Sequence, residues 1–303
     1  MNVIVIINPT AGSGSDHSLL DGVLDCIAPI VKGVVTTEKA GDAEKATVDA
    51  VLNDRGIDVI LVAGGDGTVN EVVNGLYLAS TSGKVLPLVG VIPVGTQNVF
   101  AREIGYVGLQ PEEWFATLTE RDTQWVDVGV AGSKCFTLMA GFGFDAAVVS
   151  GVQPNIKSTL GPGAYAVSFL KTLPHLKSFD MLIEMDGKFL RSDVYLMVIA
   201  NASSYAIHQM RLAPFASIDD GWLDVCIFSR AGARHFSFLG QLFAMVFRRH
   251  LKDPSVSYYR AKTVKVQSSE SVACQIDGDM FGSTPIDIRI LPSFLGVIKP
   301  HTR

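Results

Sequence analysis

Residues Gly64-Gly65-Asp66-Gly67-Thr68-Val69-Asn70-Glu71 constrain this chain more than any other stretch. They follow an apolar run, Val59-Ile60-Leu61-Val62-Ala63, whose unbroken hydrophobicity fits a strand buried on both faces. After them Val69, Val72, Val73 and Leu76 recur at the spacing of one helical face. Thr68 and Glu71 match the T-x-x-E capping box, which predicts that the helix starts here. Strand, glycine turn and helix N-terminus in succession make an anion site. Bare backbone lets a phosphate approach, and free N–H groups with the helix dipole hold it. Asp66 would repel a phosphate unless a cation bridges them, so the loop points to a metal–nucleotide site.

The same rhythm runs through residues 1–125. Strands are predicted at 3–7, 33–37, 59–63 and 88–92, with helices at 19–30 and 69–78 and one whose face carries Ala43, Ala46, Ala50 and Val51. Alternation of this kind means an α/β domain with a parallel sheet and helices on both faces. Ligands in that architecture sit at the carboxyl ends of the strands. Asn8-Pro9-Thr10-Ala11-Gly12-Ser13-Gly14, the Gly64 loop and Pro93-Val94-Gly95-Thr96-Gln97-Asn98 all fall there. The first loop is not a dinucleotide fingerprint, because His17 stands at the third glycine position, and it lacks the lysine of a P-loop. One glycine turn is often only a turn; three at one sheet edge favour a phosphate site.

From about Trp125 the pattern changes. Strands are predicted at 135–139, 179–185, 189–199, 222–228, 263–267, 273–276 and 286–290, with a hairpin turn at Asp186-Gly187 and helices near 165–173 and 236–249. The second domain, 126–291, should therefore be mostly antiparallel β. No linker rich in Pro, Gly or Ser separates the halves, so a shared interface with a cleft is the expected active site.

A length of 303 residues suits two domains, and 48% hydrophobic with 18% charged residues suits a globular protein. A net charge of −5 argues against nucleic acid as a partner. Mean hydropathy is high, at +0.31, but no run approaches the ~18 to 20 apolar residues of a membrane span. The first residues lack a basic leader region and read as a strand. Cys26, Cys135, Cys226 and Cys274 are widely spaced without a CxxC pair, as expected of reduced thiols in a reducing compartment.

Asn8-Pro9-Thr10-Ala11-Gly12, Thr37-Glu38-Lys39-Ala40-Gly41-Asp42-Ala43, the stretch from Gly64 to Asn74, and Pro93-Val94-Gly95-Thr96-Gln97-Asn98 together resemble the catalytic domain of diacylglycerol kinases. The bacterial lipid kinases, similar to sphingosine and ceramide kinases, are nearest, and the resemblance covers nearly the whole chain. The G-G-D-G-T loop alone is shared with NAD kinases. The resemblance implies a nucleotide-binding first domain, a β-rich acceptor domain, and a C-terminal segment, about 292–303, that returns to the first. It implies transfer of the γ-phosphoryl of Mg-ATP to a lipid hydroxyl, most naturally diacylglycerol-like, with ATP and Mg2+ as cofactors. ATP would lie on Asn8, Thr10, Gly12, Thr37, Gly64, Gly65, Asp66, Gly67, Thr68, Val69, Asn70, Gly95, Thr96 and Asn98, with Asp66 acting through magnesium. A cytoplasmic protein in peripheral contact with the cytoplasmic membrane face would follow, and a homodimer is compatible.

The second domain adds two matches. Ala213-Pro214-Phe215-Ala216-Ser217-Ile218-Asp219-Asp220-Gly221-Trp222-Leu223-Asp224 is similar to the family's P-x-A-x-x-x-D-G-x-L-D segment, which implies a structural magnesium ion on the Asp220 carboxylate and the carbonyls of Ser217 and Trp222. The plain alternative is an Asp-Gly turn. Asp277-Gly278-Asp279 aligns with the family's D-G-E, whose glutamate is the general base. A hairpin turn is again the plain alternative, and both can hold.

Departures from the family pattern are also visible. Asp279 is one methylene shorter than the family glutamate, Val99 stands where many relatives carry aspartate, and Tyr205-Ala206-Ile207-His208 replaces a glycine cluster. The apolar stretch 236–247, followed by Arg248, Arg249, His250 and Lys252, reads as a core helix with a cationic end or as a segment in a membrane interface. His208 and His250 have no ligand spacing and are expected at the surface. Two rival functions stay open: a kinase of a soluble acceptor such as NAD, and a nucleotide- or lipid-binding relative without catalysis.

Overall fold

The apolar runs of the first third fold as a parallel sheet. The computed structural model describes residues 1–12, 17–53, 56–151, 168, 171–204, 211–230, 240, 244 and 249–300. The chain divides into two compact units, Met1–Val126 with Ser293–Arg303, and Asp127–Pro292. The first holds β1 (Val3–Ile7), α1 (His17–Ile27), β2 (Val31–Thr36), α2 (Asp42–Leu52), β3 (Val59–Gly64), α3 (Asp66–Ser80), β4 (Leu88–Pro93), α4 (Val99–Glu103) and α5 (Pro111–Glu120). Then come β5 (Thr123–Ala131), β6 (Lys134–Phe136), β7 (Met139–Gly143), α6 (Phe144–Ser150), β8 (Phe179–Met185), β9 (Lys188–Ala200), β10 (Leu223–Ser229), β11 (Val256–Ala261), β12 (Thr263–Ser268), β13 (Ala273–Ile276), β14 (Asp279–Ser283) and β15 (Ile286–Ile298). Both unit boundaries fall inside strands, β5 and β15.

In the first unit the order is β2-β1-β3-β4, all parallel, and the end of β15 adds beside β4 through Val297 and Val89. Every residue of β3 is buried, as its unbroken apolar run requires. Helix α1 buries Leu20, Val23 and Ile27, and α3 buries Val69, Val72, Val73 and Leu76. On α2 the buried face is Ala43, Thr47, Ala50 and Val51; Thr47 is tolerated there because its hydroxyl donates to the Ala43 carbonyl at 2.8 Å. Helix α2 packs on α3, and α1 on α5. Right-handed crossovers put α1 on one face and α2 with α3 on the other. Tyr106, stacked on Trp114 with ring centroids 5.0 Å apart, donates its hydroxyl to the Ile298 carbonyl at 2.6 Å and so fastens the end of β15.

The second unit is antiparallel throughout. Strand β9 pairs with β7, β8 and β10; β13 joins β7 to β14; β12 joins β8 to β15; β11 edges β10. Its core includes Phe136, Phe142, Met197, Ile199, Val225, Val264 and Cys274. Cys135, Cys226 and Cys274 are buried and Cys26 is half-buried, and none of the four is in a disulfide.

Several expectations change. Helix α3 starts at Asp66 with Gly65 as its N-cap and no side-chain cap, so the capping box does not form. Its two members are engaged elsewhere, Thr68 with Asn8 and Glu71 with α2. The strand expected at 135–139 is broken at Thr137 and Leu138, whose N–H groups turn to the Asp277 carboxylate. His250 is completely buried rather than exposed. The sequence reading omitted strands β5, β7, β11 and β14 and helices α4, α5 and α6. The helices expected near 165–173 and 236–249, and Tyr205 to His208, lie largely or wholly outside the described residues.

Candidate active site

Strand order in the first unit reverses direction between β1 and β3. Loops leaving the two strands there diverge to opposite faces and open a crevice at their carboxyl ends. Asn8 leaves β1 and the Gly64-Gly65 turn leaves β3, and a side-chain hydrogen bond crosses the gap: Asn8 Nδ2 donates to Thr68 Oγ1 at 3.1 Å. Asn8 Oδ1 in turn accepts from the Thr10 backbone at 3.0 Å and the Thr10 hydroxyl at 2.9 Å. Asn8 is thus a rigid bracket between two glycine-bearing loops.

The third loop lies against the second. A Cβ on Gly95 would stand 2.3 Å from the Gly65 Cα, so only bare backbone fits that seam. Gly12 packs equally close to the Val94 carbonyl. The structure therefore brings Asn8, Thr10, Gly12, Gly64, Gly65, Thr68, Gly95 and Asn98 into one cluster. Thr37 lies at the end of β2 beside it, with its N–H and hydroxyl both directed at the Ile7 carbonyl. Gly67 and Thr96 are exposed. Val69 is buried and its N–H returns to the Gly65 carbonyl, while Asn70 accepts from Asn74 one turn on.

Helix N-termini at this edge differ in what already occupies them. Glu71 accepts from Gly41 N at 2.9 Å and Ala43 N at 3.1 Å, so α2 is capped by a carboxylate of α3. Asp42 covers the preceding turn, and the Glu38 and Lys39 N–H groups hold its carboxyl below the usual range. Asp66 Oδ1 accepts from Phe100 N at 2.9 Å at the start of α4. Helix α3 has no side-chain cap, and the N–H groups of its first turn have no partner within the helix. Of the helix starts described at this edge, that of α3 is left open to an anion. Asn98, in the left-handed region at φ 49°, donates Nδ2 to the Pro93 and Gly95 carbonyls, and its buried Oδ1 has no hydrogen-bond partner among the described residues. A glycine cradle, an open helix start and an orphaned acceptor together fit a phosphate-bearing ligand with its cation.

In the second unit, Asp277 and Gly278 form the turn from β13 to β14, both at positive φ as a two-residue hairpin requires. The Asp277 carboxylate accepts from Thr137 N at 2.7 Å, Thr137 Oγ1 at 3.0 Å, Leu138 N at 2.9 Å and Met139 N at 3.0 Å. Asp279 opens β14, is exposed, and its carboxylate has no partner among the described residues.

The 217–222 turn is built from its own side chains. Ser217 Oγ donates to Asp219 Oδ1 at 2.7 Å, and Asp220 Oδ1 accepts from Trp222 N at 3.1 Å. The other Asp220 oxygen is ion-paired with Arg260. Buried Asp127 fastens the turn from below, accepting from Gly221 N at 2.6 Å. Behind it burial raises the Asp224 carboxyl, with Arg260 Nε 3.7 Å away. Among the described residues no group of three or more His, Cys, Asp or Glu side chains is placed to hold a metal. A cation here would rest on the Asp220 carboxylate and backbone carbonyls, a donor set of the right hardness that Arg260 already shares.

The sequence reading passed over Glu71 as a clamp and over Asp127, Asp145 and Gln275. Only Gly141-Phe142-Gly143-Phe144-Asp145, an acid behind paired glycines, offered a local signal for any of them.

Comparison with known proteins covers both units. Residues 2–131 match the family described as diacylglycerol kinase catalytic domain, and residues 139–299 match the YegS C-terminal NAD kinase beta sandwich-like domain. The chain is 33% identical to a diacylglycerol kinase of Bacillus subtilis (strain 168), over 99% of this chain and 96% of that one. It is 31% identical to a diacylglycerol kinase of Staphylococcus carnosus (strain TM300), over 98% and 94%. A crystal structure of a diacylglycerol kinase from Bacillus anthracis str. Sterne superposes with a TM-score of 0.78 at 26% identity, covering 98% of this chain and 96% of that one.

Proposed function

Because the chain belongs to the bacterial diacylglycerol kinase family, we propose that it transfers the γ-phosphoryl group of ATP to the free hydroxyl of a diacylglycerol-like lipid. The observation that carries this reading is the open N-terminus of α3 at the switch between β1 and β3, beside a start of α2 that Glu71 already occupies. Backbone N–H groups of Gly65 to Thr68 receive phosphate oxygens, and Asn8 and Gly95 keep the loops apart by the width of bare backbone. Thr10, Gly12, Thr37, Val69, Asn70, Thr96 and Asn98 complete the ATP-binding set, with the Asn98 Oδ1 acceptor waiting for a donor.

Asp66 is the residue that would hold magnesium, and a bound magnesium ion supplies positive charge against the phosphates. Asp279 takes the proton of the lipid hydroxyl as the phosphoryl group moves, a role that an exposed carboxylate with free lone pairs can fill. A divalent cation at the 217–222 turn would draw on Asp220 and the carbonyls of Ser217 and Trp222 and compete with Arg260. The acceptor is a membrane component, so the protein works in peripheral contact with a lipid surface. No helix among the described residues is long and apolar enough to cross a membrane.

The test follows labelled γ-phosphate from Mg-ATP into diacylglycerol, monoacylglycerol, phosphatidylglycerol, ceramide and sphingosine in mixed micelles. Label in one lipid, lost in Asp279→Ala, is the expected result and names the acceptor. Binding of ATP with no label in any lipid, or transfer only to a water-soluble acceptor, overturns the reading.

A further inference from the structure

The turn that presents Asp279 is held by more buried polar chemistry than a hairpin needs. Asp277 is one arm, clamped on the 137–139 backbone. A second arm runs through Gln275, which is 2% exposed. Its Oε1 accepts from Gly278 N at 2.7 Å, and its Nε2 donates to Asp145 Oδ2 at 2.6 Å. Asp145 is itself 4% exposed, in the first turn of α6. Gln275 pairs with Gly141 across β13 and β7, and a Cβ on Gly141 would lie 1.8 Å from Asp145 Oδ2. Glycine at 141 thus opens the space in which the two side chains meet. The register of β13 against β14 also shifts between Cys274 and Gln275, a local irregularity of the kind that re-aims side chains.

Burying a carboxylate and an amide is costly unless both are satisfied. Here the Gln275 amide links the Asp145 carboxylate to one backbone N–H, that of the residue immediately before Asp279. We propose that Gln275, oriented by Asp145, is a positioning residue for the Asp279 carboxylate: it fixes the Gly278 peptide and with it the direction in which β14 begins. The proposal rests on the reading of Asp279 as the base. A misplaced base loses much of its effect without altering nucleotide binding, so the arm should appear in kcat and not in the KM for ATP.

The test reverses the polarity of the arm. Gln275→Glu keeps an oxygen for Gly278 N but turns a second oxygen on Asp145 in place of the amide. Two carboxyl groups that close share one proton and give it up only at raised pH, after which two like charges face each other. The kcat of Gln275→Glu relative to the unmodified protein should therefore fall about tenfold or more as pH rises and the pair loses its proton, with the KM for ATP unchanged. Adding Asp145→Asn restores a donor facing the new carboxylate, so the double variant should regain the original pH profile shape. This second variant also serves if Gln275→Glu unfolds at high pH. A kcat ratio that does not change with pH, an effect confined to the KM for ATP, or a double variant that keeps the new pH dependence overturns the arm. Full turnover in Asp279→Ala, measured separately, overturns the base itself and is distinguishable from any of these.

Discussion

Asp66 and Asp279 are both carboxylates displayed next to a glycine, one in each unit, and their surroundings are opposite. Asp66 is half-buried, sits in the first turn of α3, and has one oxygen committed to Phe100 N. Asp279 is exposed at the start of an edge strand, with neither oxygen committed among the described residues. A carboxylate tethered through one oxygen is suited to holding charge in a fixed place. One with free lone pairs is suited to accepting a proton. Their supports differ as well: in the first unit bare glycine backbone makes the fit, whereas in the second half-buried Asp277 and buried Gln275 and Asp145 hold a turn in place.

The comparison breaks most visibly in turnover. Asp279→Ala should lower lipid phosphorylation by about a hundredfold or more, with ATP affinity by equilibrium dialysis unchanged. Asp66→Asn, which keeps an acceptor for Phe100 N but removes the charge, should also lose turnover while its melting temperature holds. Asp66→Ala should lose both. Equal loss of stability in Asp66→Asn and Asp66→Ala would mean that the tether and the charge are not separable.

Glycine substitutions come next. Gly95→Ala puts a Cβ 2.3 Å from the Gly65 Cα and 2.6 Å from Asn98 Oδ1, so the two loops must part. Overpacking of this kind costs about 1–3 kcal/mol, and the expected readout is a loss of about tenfold or more in ATP affinity by calorimetry. Gly282→Ala, on β14 in the second unit, meets nothing within 4 Å and should change neither quantity. Equal tolerance at both positions would dissolve the contrast between a unit fitted by backbone and a unit fitted by side chains. Glu71→Ala should come below Gly95→Ala. It strips the partner from Gly41 N and Ala43 N and should cost about 1–2 kcal/mol in a urea titration. Glu71→Gln, which keeps one acceptor oxygen, should fall between Glu71→Ala and the unmodified protein.

What the sequence discloses about each region follows from the range of the forces involved. The parallel half is legible because its signals are local: β3 is one unbroken apolar run, and the repeat of Val69, Val72, Val73 and Leu76 lies on one helix. Val59–Gly64 and Ala273–Ile276 appear where the pattern puts them. The start of α3 differs from its local signal because Thr68 and Glu71 satisfy a local rule but find better partners sixty and thirty residues away. The same is true at Thr137, where a carboxylate 140 positions along the chain interrupts a strand. Gly95 and Asp66 could be singled out as candidate site residues from their loops alone. Gln275 could not, since an amide in a strand carries no mark of the peptide and the carboxylate it joins.

His250 carries the smallest of the expected effects, and it tests whether side-chain burial in the second unit reaches beyond the Asp279 turn. The sequence places it after a cationic run and suggests exposure, yet it is fully buried, stacked on Phe228 at 5.8 Å, with Nε2 3.2 Å from the Leu212 carbonyl. Its Nδ1 has no hydrogen-bond partner among the described residues. Burial disfavours the charged ring and lowers its pKa below the ordinary 6.5, against a smaller opposing pull from the Leu212 carbonyl. The unfolded chain then binds a proton that the folded chain resists, so this group's contribution is complete above 6.5 and is lost as pH falls toward the folded value. Urea midpoints measured between about pH 5.5 and 7.5 should decline toward acid, and His250→Gln should make that decline shallower by removing the titrating ring. An identical slope in His250→Gln would mean that other groups carry the acid sensitivity and would leave His250 as a packing residue only.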